Sequence, residues 1–324
     1  MTPGNPFPTP SPRRTRRVSK LGDRIFVGVV ALATAAIIAI MLALIVVLLY
    51  GSRLAITTLG FSYLTGRIWN PEFNIYGILP AVEGTLVTSG IALLIAIPLG
   101  LGAAIFLTQH APTWLRAPVG QLIELLAAIP SIIYGFWGLI VLVPLERNVI
   151  EPGLVKYLGW TGLFNATPIG LDVFTASLVL SVMAIPTITA VSRDALAAVP
   201  RAQKEAAIAI GATDWEVTRR AVLPYARSGI VAGAVLGLGR ALGETMAVLL
   251  VIGNHTIIFT SLLAQGSTIA SLIANDFFEA ATPLEVPTLL EAGLVLLLIA
   301  LAVNVAARLV LARFQAVGGG AAAE

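Results

Sequence analysis

The chain has 324 residues, of which 57% are hydrophobic and 11% charged, with a mean hydropathy of +0.92 and a formal net charge of +3. That balance excludes an ordinary soluble domain, in which about a quarter of the residues are charged. Cysteine is absent, so disulfide frameworks and thiolate metal sites are excluded too.

Residues 1–24, rich in Pro, Ser, Thr and Arg, predict a disordered tail carrying Arg13, Arg14, Arg16, Arg17, Lys20 and Arg24. Nucleic acid is one partner for such a basic run. This one abuts the apolar run Ile25–Tyr50, so orientation of a span and attraction to anionic lipid account for it better. The run has no small-residue cleavage site before Gly51, which argues for a retained span over a signal peptide. Five more runs are long enough for a hydrocarbon core of about 30 Å: Gly84–Thr108, Leu122–Pro144, Val173–Val191, Ile230–Gly253 and Thr288–Leu311. The expected fold is all-α and polytopic, with about six transmembrane helices over residues 25–314 and a flexible tail over 315–324. Pro98, Pro130 and Pro186 fall inside spans and invite bends.

Basic residues set the expected orientation. The tail and the loop holding Arg193, Arg201, Lys204, Arg219, Arg220 and Arg227 are rich in them, whereas the opposite loops offer Arg53, Arg67, Arg147 and Lys156. The positive-inside rule places both termini, the loop with Arg116 and the 201–224 loop in the cytoplasm of a cell-membrane protein. Glu124 is expected near that side, interfacial or paired with a basic loop residue rather than catalytic. The outer loops hold Glu72, Glu146, Glu151, Asp276, Glu279 and Glu285, with Trp69, Trp160, Phe277 and Phe278 at interface depth.

Residues 201–224 read as two short helices too short to cross a bilayer. The first, Ala202–Ile210, stops at Gly211, which tolerates a left-handed backbone. Thr213 and Glu216 form a capping box for a second helix expected to end before Pro224. A short charged segment between spans suits docking of a soluble partner. A DNA-binding helix-turn-helix is disfavoured by the spans on both sides.

In the fifth span, Gly229, Gly233 and Gly237 recur every fourth residue and predict close helix packing. Arg240 and Glu244 are four residues apart, hence expected on one face, about 60° from the glycines. A structural ion pair is one reading. The other is an anion pathway, in which a guanidinium suits phosphate or a similar oxyanion and Glu244 limits how tightly it is held. His110 and His255 are expected on opposite sides, no metal or nucleophile motif is present, and G-x-x-x-x-G-K-[ST] is missing. No cofactor is expected, and energy from ATP would have to come from a partner.

Glu205-Ala206-Ala207, Gly211 and Leu223-Pro224 stand at the spacing of the EAA loop and resemble that motif of ABC-importer permeases, with Ala221 where Ile is usual. GRALGETMAV (239–248), IELLAAIPSIIYGFWG (123–138) and AIPTITAVSRDAL (184–196) resemble PstC-type permease subunits of phosphate ABC importers. The resemblance implies that residues of about 192–224 couple to an ATPase. It implies a homologous PstA-type permease partner, two ATPase subunits that bind the ATP and Mg, and an extracytoplasmic phosphate-binding protein docking on the outer loops. The chain would then be half of an alternating-access pathway for inorganic phosphate, without bond chemistry of its own. A permease for sulfate, molybdate or phosphonate, and an ATP-independent anion transporter, are the alternatives.

Overall fold

In the computed structural model, which describes residues 20–319, the apolar runs are helical. A bilayer offers no water to backbone groups, so a spanning segment must satisfy them internally. Six helices are long and apolar enough to cross a membrane: Arg24–Gly51, Leu79–His110, Ser131–Thr161, Val173–Ala197, Asp214–Leu242 and Glu285–Leu309. The all-α polytopic expectation therefore holds. The third and fifth spans are displaced from their expected limits, each by a helix break.

The first helix, α1 (Lys20–Gly51), begins a unit of its own up to residue 47. Its side chains from Ile25 to Leu44 are exposed on every face, the pattern of a helix whose solvent is apolar. Of the tails expected over 1–24 and 315–324, residues 1–19 and 320–324 lie outside the described residues, while 20–24 and 315–319 are helical, in the first and last helices.

The second unit starts with α2 (Arg53–Leu59), α3 (Ser62–Thr65) and a hairpin of β1 (Trp69–Asn70) with β2 (Ile75–Tyr76). Then come α4 (Leu79–Ile105), α5 (Thr113–Ala128), α6 (Ser131–Trp137), α7 (Val143–Leu145), α8 (Glu151–Leu158) and α9 (Val173–Ala197). The chain continues through α10 (Arg201–Ala209), α11 (Asp214–Val217), α12 (Leu223–Leu242), α13 (Met246–Leu249), α14 (Ile269–Asp276) and α15 (Glu285–Gly319).

At the centre is α9, the most buried span, packed between α4 and α12. Missing side chains allow that approach. Gly229, Gly233 and Gly237 of α12 lie against Ala195, Val191 and Ile188 of α9, and Gly100 of α4 lies against Ile188 from the other side. A Cβ at Gly229 would overlap the Cβ of Ala195, which cannot rotate away. Gly229→Leu should therefore force α12 off α9 at a cost of about 1–3 kcal/mol and lower the unfolding temperature in detergent. Gly90→Leu, at a position with nothing within 4 Å, should leave it unchanged.

Proline is absorbed in two ways. Pro98 and Pro186 sit inside uninterrupted helices. Pro144, Pro152 and Pro224 each follow a π-turn, at 138–142, 146–150 and 218–222 respectively. A proline has no N–H to donate and its ring crowds the carbonyl four residues back, and a wider turn relieves both problems. Hence the helix that starts at Asp214 does not end before Pro224 as expected; it runs on into α12 and forms the fifth span.

Candidate functional site

Two helix breaks converge at one place in the second unit. The first separates α5 from α6, where Ile129 and Pro130 are extended (ψ 130° and 137°). The residue before a proline disfavours helical backbone, and here the ladder stops. The carbonyls of Leu126 and Ala127 at the end of α5 are then taken up by side chains. Tyr134 donates its hydroxyl to Leu126 O at 2.8 Å, and Arg240 donates Nη1–H to Ala127 O at 3.5 Å. A guanidinium at a helix C-terminus also meets the negative end of the helix dipole. Leu126, Ile129, Ile133, Tyr134, Trp137 and Val182 line an open apolar pocket of about 310 Å³ beside this break.

The second break separates α12 from α13. It falls at Gly243–Thr245, between Arg240 and Glu244. The two residues therefore do not share a helical face, which corrects the expectation from their spacing. Glu244 turns to the next element, its carboxylate accepting from Ala247 N at 3.3 Å. The ion pairs within 4.0 Å among the described residues are Arg193–Glu124, Arg193–Asp194 and Arg220–Glu216, so Arg240 and Glu244 do not form a salt bridge. Both are half-buried. A guanidinium has five N–H groups, and the bond to Ala127 is long. The site thus presents a cation with most of its donors available, next to broken backbone at the ends of two candidate spans, and in a bilayer such polar groups persist only if protein or a water-filled path covers them.

The EAA-like segment lies apart from this site. In it α10 ends at Ala209, Gly211 is left-handed with φ +88°, and Thr213 and Glu216 complete the capping box. Ala207 and Leu223 pack inward on a cluster of Ala104, Leu196, Val199, Val217, Val222 and Ala226. Glu205, Ala206, Gly211 and Pro224 are exposed. So are Ile208, Ile210 and Trp215, at 55%, 87% and 56%, an apolar edge on an otherwise charged surface.

At the opposite end, Glu146 and Glu151, expected in an outer loop, are fully buried and lie within the third span, which runs on to Thr161. Beside Glu151, burial pushes the carboxyl of Asp172 up, and the charge of Glu151 adds to the shift. Asp172 caps α9 by accepting from Thr175 N at 2.8 Å. Trp69 donates to Asp276 at 2.7 Å. Together with Arg67, Glu72, His255 and Glu279 these two line an open cleft of about 620 Å³.

Sequence reasoning missed Tyr134 and the Ala127 carbonyl as partners of this site. The available signal was Pro130, four residues before Tyr134, in a phrase where a tyrosine is the only hydroxyl long enough to reach back past the break.

The match to known proteins is consistent over nearly the whole chain. Residues 96–316 match the family model of the binding-protein-dependent transport system inner membrane component. The chain is 45% identical to the phosphate transport system permease protein PstC of Mesorhizobium japonicum over 306 residues, 93% of this chain and 94% of the relative. It is 49% identical to the PstC proteins of Pasteurella multocida, covering 83% and 85% of the two chains, and of Xylella fastidiosa, covering 88% and 90%. Two solved structures share its fold. One is the MetNI methionine ABC transporter in inward facing conformations, with TM-score 0.55 and 19% identity, covering 76% of this chain and 99% of that one. The other is a bacterial ABC transporter involved in import of the acidic polysaccharide alginate, with TM-score 0.54 and 20% identity, covering 91% and 99%. The chain belongs to the binding-protein-dependent transport system inner membrane components and, within them, to the PstC family of phosphate transport system permeases.

Proposed function

We propose that this chain forms half of the membrane pathway of an ATP-driven importer of inorganic phosphate. The observation that carries the reading is Arg240, a half-buried guanidinium held by one long bond at the meeting of two helix breaks. A planar fork of donors matches a tetrahedral oxyanion, and a weakly engaged one can bind the anion and let it go. Arg240 and Glu244 are the pathway residues. The other half of the path is a homologous PstA-type permease, which also covers the polar face that lipid would not tolerate.

Energy enters at the EAA-like segment, residues of about 192–224, on the cytoplasmic side together with both termini. There Glu205, Ala206, Ala207, Gly211, Leu223 and Pro224 shape the surface that sits on one of two ATPase subunits, which hold the ATP and Mg. Ile210 and Trp215 supply apolar anchors for that contact, since exposed large apolar groups on a charged surface mark interfaces. A phosphate-binding protein delivers the anion at the opposite face.

The test is uptake into proteoliposomes holding this chain, its permease partner, the ATPase and the binding protein. Labelled phosphate should accumulate only with ATP, and unlabelled sulfate, molybdate or phosphonate in excess should not compete. Competition by one of these would reassign the substrate, and accumulation without ATP would overturn the importer reading.

A further inference from the structure

Arg193, near the end of α9, reaches sideways to α5. Its Nη2 lies 2.8 Å from Glu124 Oε1 and 3.4 Å from Asp194 Oδ1. One turn before Glu124, Gly120 leaves the room the guanidinium needs, for a Cβ there would meet Arg193 Nη1 at 2.6 Å. Positions four apart lie on one helical face. One face of α5 is therefore fitted to Arg193 twice, by an absent side chain and by an opposite charge.

The two ends of this contact are attached to different machinery. On the α9 side, Leu196 and Val199 are buried with Val217, Val222 and Ala226, and Ala207 and Ala212 pack against them. Close-packed side chains of this kind move together, so the end of α9 follows the EAA-like segment. On the α5 side, Glu124 precedes Ala127 by three residues, about 4.5 Å along the helix axis, and Ala127 O is the acceptor of Arg240. A second tie, Lys204 Nζ to Gln109 Oε1 at 3.2 Å, holds the connector ahead of α5. Arg193 alone among these contacts grips the half of α5 that ends at the break.

We propose that Arg193 and Glu124 are the joint through which movement of the EAA-like segment reaches α5 and, through its terminal carbonyls, the guanidinium of Arg240. They act as positioning residues and touch no substrate. The proposal rests on the ATP-driven reading above. A half-exposed pair of this kind contributes little to folding, so its loss leaves the fold in place and removes only the linkage.

The experiment counts labelled phosphate taken up per ATP hydrolysed by the complete reconstituted complex. Arg193→Gln and Glu124→Gln should each assemble at normal abundance and hydrolyse ATP, with phosphate per ATP down by about tenfold. Gly120→Leu keeps both charges but displaces the guanidinium, and should uncouple in the same way. The exchange Arg193→Glu with Glu124→Arg should recover most of the ratio. Single variants with an unchanged ratio, an exchange no better than the singles, or loss of complex abundance in step with uptake would each overturn the joint. An unmodified complex that takes up no phosphate with ATP would instead sink the reading on which it rests.

Discussion

Arg240→Gln should lower ATP-driven phosphate uptake by about 10- to 100-fold while the complex assembles at normal abundance, the range that follows from losing a hydrogen bond to a charged group worth about 1.5–3 kcal/mol. The shorter amide gives up the long bond to Ala127 O, while Tyr134 still donates to Leu126 O at the end of α5; the fixed charge that would hold the anion is gone. Assembly should survive because Arg240 has no salt-bridge partner to orphan: Glu244 is beyond 4.0 Å and bonds to Ala247 N. Glu244→Gln should accordingly act more mildly, through the start of α13. Uptake kinetics on matched amounts of reconstituted complex check both. If Arg240 were only a prop for α5, the variant would lose abundance in step with uptake, and transport per complex would stay unchanged.

Gly211→Val should abolish coupling while leaving the membrane helices folded. Gly211 has φ +88°, a region costly for any residue with a Cβ and most of all for a β-branched one, by about 1–3 kcal/mol. Nothing lies within 4 Å of the missing Cβ, so the penalty is conformational and confined to the turn that sets α10 against α11. The turn would re-form with α10 tilted and its exposed edge at Ile208 and Ile210 misaligned. The expected result is phosphate-stimulated ATP hydrolysis near background, with less ATPase co-purifying. Gly211→Asn should retain much of the activity, since asparagine enters the left-handed region more readily. Equal activity of the Val and Asn variants would count against an ATPase-docking role for this turn.

Much of this was legible in the sequence because a bilayer simplifies the problem. Apolar length reports spans, the glycine spacing of α12 reports its packing on α9, and Gly211 with the Thr213–Glu216 box reports the turn between α10 and α11. What stayed hidden is what tertiary context decides. The phrases Ala128-Ile129-Pro130-Ser131 and Ala184-Ile185-Pro186-Thr187 are nearly the same, yet the first breaks the helix and the second does not. At the first, Tyr134 and Arg240 arrive to satisfy the carbonyls that the break releases. At the second, α9 is clamped by Gly100 and Gly237 around Ile188, and the helix has no room to open. The spacing of Arg240 and Glu244 misled for a related reason, since helical geometry applies only while the helix continues, and Gly243 ends it. For Glu124 the sequence left an interfacial position and a basic partner both open, and nothing local identified Arg193 as that partner.

The most direct test uses the absence of native cysteine. Ala127→Cys places a single thiol on the residue whose carbonyl accepts from Arg240, and its modification by a small thiol reagent can be read by mass on this chain alone. In proteoliposomes importing phosphate with ATP, phosphate should slow that modification and sulfate should not, and Arg240→Gln in the same background should abolish the protection. Modification at one rate with and without phosphate, in a complex shown to be transporting, would contradict the assignment of the anion path to Arg240.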